Sequence, residues 1–394
     1  MKTVTLAVYL PSVLYGVGQG AILPVIALSA RQLGASLATA GLVVALAGVG
    51  QIAGDLPAGQ LAARYGERRA MLGATAVSVL ALVGCALAPS VAVLAASVLC
   101  LGVTGAVWGL ARQAYLTDAV PVAMRARALS TLGGTHRIGM FVGPFVGALA
   151  VDRWGISAAY WVHVATAALA CAALVLLPEL ERRPGAAGGE APGLVSVVRT
   201  HLPVLRTLGI GVLLVGAARA SRQVVVPLWA EQLGLSPAAT SLVFGVSGAV
   251  DMLLFYPAGH VMDRYGRAFI AVPSMLVLGV AHLLLPLATE VRGLLLAAVL
   301  MGLGNGMGSG LVMTLGADAS PAVGRSQFLG AWRLCADAGN AAGPLAVSAV
   351  AAASALAPAV FVMGGVSFVA AAVLARWVPQ FDPVDRSGAV GGRR

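Results

Sequence analysis

The sequence is poor in charge. Only 10% of its 394 residues are charged, whereas 59% are hydrophobic. A soluble domain carries about a quarter charged residues, so this composition excludes a soluble core-and-surface arrangement. Lysine occurs once, at Lys2, which excludes a phosphate-binding Walker loop and with it a nucleotide partner.

Cysteine and catalytic motifs are also scarce. The four cysteines lie in apolar stretches without metal-ligand spacing, at Cys85, Cys100, Cys171 and Cys335. We therefore expect small buried hydrophobes and no metal or cofactor. The sequence has no HExxH motif and no Ser/His/Asp cluster, so we expect no enzyme.

What the sequence has in abundance is long apolar runs. Each has about 20 residues, enough to cross ~30 Å of hydrocarbon as a helix. Twelve such runs, here called spans 1 to 12, lie at 7–29, 38–62, 71–88, 91–115, 128–152, 158–178, 206–229, 238–261, 269–288, 293–316, 327–351 and 357–378. They predict an all-α polytopic membrane protein with 12 transmembrane helices, whose surroundings are the lipid bilayer.

The positive charge predicts the orientation of the chain. The formal net charge is +10, and with the N-terminus inside, seventeen of the 25 Lys/Arg residues fall on the cytoplasmic side. Only Arg31, Arg153 and Arg292 fall outside. By the positive-inside rule we expect a multi-pass protein of the cell membrane with both termini in the cytoplasm. Because the charge orients the chain, we expect no nucleic acid partner.

The chain matches itself with a shift of 200 residues. The matches include Asp118, Pro121, Arg125, Gly139, Gly143 and Pro144, which meet Asp318, Pro321, Arg325, Gly339, Gly343 and Pro344. One constant offset indicates two copies in the same orientation. We predict an N-terminal six-helix bundle at 1–180, a cytoplasmic central linker at 181–205, a C-terminal six-helix bundle at 206–380 and a cytoplasmic tail at 381–394.

A basic, glycine-containing motif occurs in both copies. It is PAGQLAARYGER at 57–68 and PAGHVMDRYGR at 257–267. Both stretches resemble the loop motif Gly-x-Leu-Ala-Asp-Arg-x-Gly-Arg-Arg of the major facilitator superfamily, with Ala63 in place of the acid in the first copy and Glu67 in place of a basic residue. The resemblance covers essentially the whole chain and implies the major facilitator fold, with two pseudo-symmetric six-helix bundles.

The resemblance also implies a cytoplasmic gate at this motif, which must open in each transport cycle. Its residues here are Asp263, Arg264, Arg267, Arg64, Arg68 and Asp118. We include Asp118 as a partner for Arg64 or Arg68, because the first copy of the motif lacks its acid. The motif glycines have two expected roles. We expect Gly66 and Gly266 to provide a permissive turn backbone. We expect Gly59 and Gly259 to allow close helix approach.

Span 5 carries a second motif. GMFVGPFVG at 139–147 resembles the Gly-x-x-x-Gly-Pro-x-x-Gly motif of proton-driven exporters in the same superfamily. Gly139, Gly143 and Gly147 form a strip along which another helix can pack closely, and Pro144 removes one backbone hydrogen bond. The resemblance implies an antiporter that exports a small molecule; tight packing without a functional role is the alternative.

Charged residues inside the spans are selectively placed. Spans 3, 6, 9 and 12 have none in their interiors, and spans 2, 4, 5, 7, 8 and 11 contain Asp55, Arg112, Arg137, Arg219, Arg222, Asp251, Arg333 and Asp337. A charge at mid-span costs about 2.5–3.5 kcal/mol on insertion scales and usually marks function. Five arginines against three aspartates favour anionic or zwitterionic substrates. For Arg112, near the cytoplasmic face, snorkelling is an equally good explanation.

We predict a polar substrate site around a central cavity. Its residues are Arg219, Arg222, Gln19, Arg137 and Gln51. Arg219 and Arg222 lie three apart, so they share a helical face and both can point into the cavity. Gln19 and Gln51 are the repeat counterparts of Arg219 and Asp251.

Proton coupling requires a carboxylate that changes its environment during the cycle. Asp251 is the first candidate and Asp337 the second, with Arg333, one turn away, as the static partner of Asp337. Of the five histidines, only His136 is placed to face the cavity, and a helix-packing role is usual for such a lone histidine.

Together these features predict a secondary active transporter. We expect it to export small organic molecules in exchange for protons by alternating access, as a monomer. The alternative is a proton-linked importer of a small organic anion, because the fold alone does not determine direction.

Overall fold

The computed structural model describes residues 2–120, 125–175, 194–321 and 323–381, and all secondary structure within them is helical. The first copy of the repeat contains α1 (Lys2–Ile22), α2 (Ile26–Gln32), α3 (Leu37–Tyr65), α4 (Glu67–Ala86), α5 (Val91–Ala119), α6 (Arg125–Trp154) and α7 (Ala158–Val175). The remaining helices are α8 (Leu194–Thr200), α9 (Leu202–Val204), α10 (Ile210–Gln232), α11 (Pro237–Tyr265), α12 (Ala268–Leu284), α13 (Val291–Met307), α14 (Leu311–Ala319), α15 (Arg325–Ala353) and α16 (Leu356–Trp377).

Within the described residues, every predicted span coincides with helical structure, which confirms the all-α fold class. Within the described residues, 10 stretches are long and apolar enough to cross a membrane. Spans 5 and 11 are not among them, although α6 and α15 have 30 and 29 residues. Their polar residues, among them Arg137, Arg333 and Asp337, lower the mean hydropathy of these two helices.

Two spans differ from the predicted single helices. Span 1 is interrupted between α1 and α2, where Pro24 lacks the N–H that a continuous helix needs. Span 10 is interrupted at Gly308–Gly310, between α13 and α14. Three closely spaced glycines, at 306, 308 and 310, lower the helix propensity here. The prediction of one uninterrupted helix at 293–316 was therefore wrong.

The turns between helices follow from local sequence in the same way in both copies. Gly34 and Gly234 have φ of 87° and 75°, a region that favours glycine. Two residues later, the hydroxyl of Ser36 accepts a hydrogen bond from the backbone N–H of Thr39 at the start of α3. Ser236 does the same for Ala239 at the start of α11. These N-caps satisfy donors that a helix start leaves free.

Helix boundaries confirm the repeat where it is strongest. α3 and α11 each have 29 residues, and their ends differ by the shift of 200 that relates the two copies. Gly66 and Gly266, which follow these helices, have φ of 88° and 93°. The prediction that these two glycines provide the permissive turn backbone is confirmed.

The glycine strip of span 5 packs closely on α1, as predicted. A Cβ atom on Gly139 or Gly143 would overlap the backbone oxygen of Val13 or Val17, and one on Gly147 would lie 3.1 Å from Cα of Ala21. Pro144 lies inside α6, which continues through it.

The first glycines of the loop motif behave differently. A Cβ on Gly59 or Gly259 would meet no described atom within 4 Å. Our expectation that they permit close helix approach was wrong, because their Cα atoms face open space.

By their internal contacts, the residues form two compact units. The first comprises Met1–Arg182 and Val226–Gly245, and the second comprises Arg183–Val225 and Val246–Arg394. A core of the first unit is built around Trp108, Tyr115 and Leu116, all nearly inaccessible to solvent. In the second unit Phe328 and Trp332 are buried, and the indole N–H of Trp332 donates to the carbonyl of Val312 (2.8 Å).

The predicted linker and tail lie partly outside the described residues. Of 181–205, the described part contains α8 and α9, and the assignment of this segment as a cytoplasmic linker stays a prediction. Residues 205–209 form one π-helical turn that leads into α10. Of the tail at 381–394, only residue 381 is described.

Replacing Gly143 by alanine tests the close packing of α6 on α1. We expect Gly143→Ala to lower the free energy of unfolding by about 1–3 kcal/mol, the usual effect of overpacking. Gly134→Ala in the same helix is the matched control, because a Cβ there meets no described atom within 4 Å. Thermal melting in detergent measures both variants. Equal melting temperatures would contradict the predicted role of the strip.

Candidate functional site

The interruption of span 10 is held by an arginine from a neighbouring helix. Arg219 of α10 donates from Nη2 to the carbonyl of Asn305 (2.7 Å) and from Nη1 to the carbonyl of Gly308 (3.3 Å). Both carbonyls lie at the C-terminal end of α13, which is the negative end of the helix dipole. Arg219 therefore adds a charged donor to two acceptors at the helix end. The carbonyl of Gly308 also accepts from the backbone N–H of Leu311 (3.1 Å), and that of Asn305 lies 3.3 Å from the hydroxyl of Ser309.

Asn305 connects this arginine to Asp251. The Nε atom of Arg219 donates to the side-chain oxygen Oδ1 of Asn305 (2.6 Å). Because arginine has donors only, this contact fixes the orientation of the amide group. The amide nitrogen Nδ2 then donates to Oδ2 of Asp251, and the hydroxyl of Ser309 donates to Oδ1 of Asp251 (3.0 Å). We call Arg219, Asn305, Asp251 and Ser309 the α13–α14 network.

Arg222 lies next to this network, but it is buried. Its side chain is 8% exposed and its Nη1 atom donates to the carbonyl of Met301 in α13 (3.2 Å). Asp251 is close enough to interact with its charge. In this structure the guanidinium of Arg222 packs against α13, and the expectation that Arg219 and Arg222 both point into the cavity stays a prediction. Arg219 is half-buried.

The second candidate for proton coupling lies on α15. Asp337 is 9% exposed, and its Oδ2 atom lies 3.4 Å from Nε of Arg333. The amide of Asn340 donates to the other carboxylate oxygen (3.5 Å). The predicted pairing with Arg333 is confirmed.

The first copy has a less charged counterpart of the α13–α14 network. Gln19 and Gln51 are half-buried on α1 and α3, and Arg137 is half-buried on α6. A Cβ on Gly105, the repeat counterpart of Asn305, would lie 3.7 Å from both Oε1 of Gln51 and the hydroxyl oxygen of Tyr15. Gln51 and Tyr15 therefore approach the position that the Asn305 side chain has in the second copy.

In the second copy, the loop motif that we predict to be the cytoplasmic gate forms an ion-pair cluster. Arg267 donates from Nε to Asp318 (3.0 Å) and from Nη1 to Asp263 (2.9 Å) and to the carbonyl of Met262 (2.9 Å). Burial lowers the pKa of Arg267, but the hydrogen bonds and charges of Asp318 and Asp263 outweigh burial, so its pKa is raised. Arg264 instead lies over the ring of Tyr265, 5.3 Å from its centroid.

The first copy of the motif makes different contacts. Arg68 donates from Nε to the carbonyl of Leu174 (3.2 Å) and from Nη2 to that of Val175 (2.5 Å), so it caps the C-terminal end of α7. Arg64 lies over the ring of Tyr65, at 5.4 Å. The side chain of Asp118 lies outside the described residues, so its pairing with Arg64 or Arg68 stays a prediction.

Sequence reasoning missed three residues of the candidate sites. Asp318 is the repeat counterpart of Asp118, so the same argument could have identified it. Asn305 and Ser309 lie in the glycine run of span 10, whose high glycine content signals an interrupted helix. Among the described residues, no group of three or more His, Cys, Asp or Glu side chains is placed to hold a metal ion.

A cavity of about 450 Å³ lies in the first unit, where Arg31 and Glu231 meet. The Nε atom of Arg31 lies 3.1 Å from both carboxylate oxygens of Glu231, and Asp152 also lines the cavity. Arg31 and Glu231 are 200 residues apart, so they are repeat counterparts with opposite charge.

These features define a polytopic helical membrane protein with polar groups at an interrupted helix. The sequence matches the model of the Major Facilitator Superfamily over residues 8–221 and over residues 208–393. The protein therefore belongs to the major facilitator superfamily, which consists of membrane transporters that bind small molecules and not of enzymes.

Individual relatives are distant. The chain is 34% identical over 128 residues to the multidrug resistance protein Stp of Mycobacterium tuberculosis, a match that covers 32% of this chain and 24% of that protein. It is 28% identical over 148 residues to the arabinose-proton symporter of Bacillus subtilis, which covers 36% and 31% of the two chains. The matched segments thus span about a quarter to a third of the relatives' length.

Among solved structures, the D-xylose-proton symporter superposes with a TM-score of 0.77. The superposition covers 96% of this chain and 98% of that one, at 18% sequence identity. At this identity the likeness shows the fold alone.

The two acids that contact Arg267 allow a matched test of the gate cluster. Their side chains are 15% exposed for Asp318 and 76% exposed for Asp263. We expect Asp318→Asn to cost about 1.5–3 kcal/mol of stability, typical of a hydrogen bond to a charged group. We expect Asp263→Asn to cost about 0.2–1 kcal/mol, typical of an exposed pair.

Thermal melting of both variants, each also combined with Arg267→Gln, measures the two couplings. A larger effect of Asp263→Asn would show that burial does not decide which acid holds Arg267.

Proposed function

We propose that this major facilitator transporter exports small organic molecules in exchange for protons. In this proposal it lies in the cell membrane with both termini in the cytoplasm, and it works as a monomer by alternating access. The export direction is supported by the span 5 glycine motif and by the partial similarity to a multidrug resistance protein. The surplus of in-span arginines favours anionic or zwitterionic substrates.

One observation carries the proton coupling: Asp251 sits in a network that suits both of its protonation states. When Asp251 is ionised, Asn305 and Ser309 donate to its two oxygens. When it is protonated on Oδ1, it can donate to the hydroxyl of Ser309. That hydroxyl can then donate to the carbonyl of Asn305, which is 3.3 Å away. Neither state leaves a buried donor without an acceptor.

The same network ties Asp251 to the shape of span 10. Asn305 contacts both Asp251 and Arg219, and Arg219 holds the carbonyls at the end of α13. In this proposal, a proton on Asp251 weakens its hydrogen bond from Asn305, because a neutral carboxyl is a poorer acceptor. As a result, the hydrogen bonds from Arg219 to the carbonyls at the end of α13 change. Arg219 would thus act mainly as a positioning residue, and substrate contact would be its second role.

A second candidate function is proton-linked import of a small organic anion. It is favoured by the partial similarity to an arabinose-proton symporter, since that relative is a symporter by name. The two candidates predict opposite directions of proton movement relative to substrate.

Everted membrane vesicles with an acidic interior distinguish these functions. A pH-sensitive dye inside the vesicles reports proton release when benzoate, ethidium or arabinose is added, as examples of an anion, a cationic drug and a sugar. An exporter takes up its substrate and releases protons, whereas an importer releases none under this gradient. Asp251→Asn should abolish the proton release while exchange of labelled substrate remains. Glu290→Gln, an exposed acid between α12 and α13, is the control. Unchanged coupling in Asp251→Asn would refute the assignment.

The two asparagines of the chain allow the two candidate aspartates to be separated. Asn305 donates to Asp251, and Asn340 donates to Asp337. Removing a donor destabilises the ionised carboxylate, so Asn305→Ala should move the pH of half-maximal transport upward. Loss of one hydrogen bond to a charged group corresponds to a shift of about 1–2 pH units in this profile. Arg222, which is close enough to interact with the charge of Asp251, limits the size of this shift.

Asn340→Ala should leave the pH profile unchanged if Asp251 is the coupling group. A shift in Asn340→Ala, with none in Asn305→Ala, would instead assign the proton to Asp337.

A further inference from the structure

The short helix α14 connects the α13–α14 network to the ion-pair cluster of the gate motif. Ser309, which directly precedes Gly310 at the start of α14, donates to Asp251 (3.0 Å). Asp318, in the last turn of the same helix, accepts from Nε of Arg267 (3.0 Å). The helix has nine residues, so these two contacts lie about 13 Å apart along its axis. One short element therefore contacts the candidate proton site at one end and the predicted gate at the other.

The middle of α14 is held by a tryptophan of α15. The indole N–H of Trp332 donates to the carbonyl of Val312 (2.8 Å). A Cβ atom on Gly316 would lie 2.6 Å from Cδ1 and Nε1 of Trp332, so the ring packs directly on the helix backbone. Val312 and Gly316 lie between Ser309 and Asp318. A helix that is held at its middle can tilt about that contact, and a tilt moves both of its ends.

The interruption of span 10 separates α14 from α13. Across it, the backbone N–H groups of Ser309 and Leu311 donate to carbonyls three residues earlier, instead of four as in a regular α-helix. Gly308 and Gly310 flank Ser309 in this segment, and glycine restricts the backbone less than any other residue. Short segments with this bonding inside a helix often serve as hinges. α14 can therefore change its direction while α13 stays in place.

The first copy of the repeat is built differently at the same positions. It has Gly109, Gln51, Glu67 and Leu132 where the second copy has Ser309, Asp251, Arg267 and Trp332. Its helix α5 continues without interruption from Val91 to Ala119. The copy that contains the candidate proton site is thus the one with a separate, hinged helix, which indicates that the arrangement serves this site.

We propose that α14 transmits the protonation of Asp251 to the ion pair of the gate motif, with Ser309 as the positioning residue. When Asp251 is ionised, the hydrogen bond from Ser309 is charge-assisted and holds the start of α14. When Asp251 is protonated, Ser309 donates instead to the carbonyl of Asn305, 3.3 Å away, and its contact with Asp251 is between neutral groups. Neutral hydrogen bonds are roughly half as strong, so the start of α14 is released and the helix tilts.

Release at one end of α14 changes the contact at the other end. When α14 tilts, Asp318 moves relative to Arg267, whereas Asp263 lies on α11 and keeps its bond to this arginine. The less exposed ion pair of the cluster therefore weakens when Asp251 takes up a proton. This inference rests on the proposed function, because it takes Asp251 as the proton site, and it adds what the proton does to the gate.

The charged groups that face Asp251 among the described residues lie on α10. Arg222 is within electrostatic reach of Asp251, and Arg219 is joined to it through Asn305. α13 and α14 face Asp251 with the uncharged side chains of Asn305 and Ser309. The two arginines therefore influence the pH at which Asp251 takes up its proton, while Ser309 passes the change to α14.

Distances between spin labels, measured by pulsed electron paramagnetic resonance in nanodiscs, test this inference without transport. In a chain whose four cysteines are replaced by alanine, one label pair joins Ala317 of α14 to Val280 of α12. The reference pair joins Leu296 of α13 to Val280, and all three positions are exposed. Because each pair lies within the second copy, rocking of whole bundles changes neither distance. When the pH is lowered, we expect the α14 distance to change and the reference distance to stay constant.

Substitutions at Asp251 and Ser309 separate this response from a general effect of pH. Asp251→Asn is always neutral, so it should keep the low-pH distance at every pH. Ser309→Ala should do the same, because the bond that holds the start of α14 is missing. Ser309→Thr retains the hydroxyl and should restore the pH response. A normal response in Ser309→Ala, or a reference distance that changes together with the α14 distance, would overturn the proposal.

The two acids that contact Arg267 test the coupling in the reverse direction. Coupling between two sites is reciprocal, so weakening the contact at the end of α14 favours protonation of Asp251. Asp318→Asn should therefore raise the pH at the midpoint of the distance change by up to about one unit, which corresponds to a tenfold change in the equilibrium. Asp263→Asn removes the other acid but leaves α14 intact, and should not move the midpoint. Equal shifts in the two variants would refute transmission through α14.

Failure of this inference and failure of the proposed function give different results. If Asp251→Asn loses proton coupling but the α14 distance of the parent protein does not respond to pH, the inference is wrong and the function stands. If the α14 distance responds as expected but Asp251→Asn still couples protons to transport, the proposed coupling is wrong and the response of α14 stands.

Discussion

Backbone carbonyls cannot remain without partners in an apolar environment, and this constraint organises the candidate site. The interruption of span 10 leaves the carbonyls of Asn305 and Gly308 able to accept from a neighbouring helix, and Arg219 donates to both. The arginine is costly to bury, and the interrupted helix is costly to maintain. Each is stabilised by the other, so the interruption and the arginine form one unit. Asp251 is joined to that unit through the side chain of Asn305.

The two copies of the repeat solve the same packing problem with different chemistry. Glycines 139 and 143 in the first copy, and 339 and 343 in the second, all place one helix against the backbone of another. The helix packing at these glycines is therefore similar in the two copies. The polar positions diverged: Gln19, Gln51 and Gly105 stand where the second copy has Arg219, Asp251 and Asn305. Opposite charges at Arg31 and Glu231, which are also counterparts, are part of the same divergence.

The gate motif makes different contacts in the two copies of the repeat. In the second copy, Asp263 and Arg267 contact each other as the motif implies, but the less exposed acid is Asp318, outside the motif. In the first copy, Ala63 is uncharged, and Arg68 donates to the carbonyls of Leu174 and Val175 in α7. Equivalent residues of the motif therefore form an ion-pair cluster in the second copy and bind the carbonyls at the end of a helix in the first.

The sequence by itself determined the helical membrane fold, the repeat, the turns at Gly66 and Gly266 and the packing strip at Gly139 to Gly147. These features depend on hydropathy, glycine conformation and local spacing, which are properties of short segments. Only the tertiary structure decided that Arg219 binds the end of α13 and that Arg222 is buried against the same helix. Those outcomes depend on which backbone groups are left free when distant helices meet, and no local pattern contains that information.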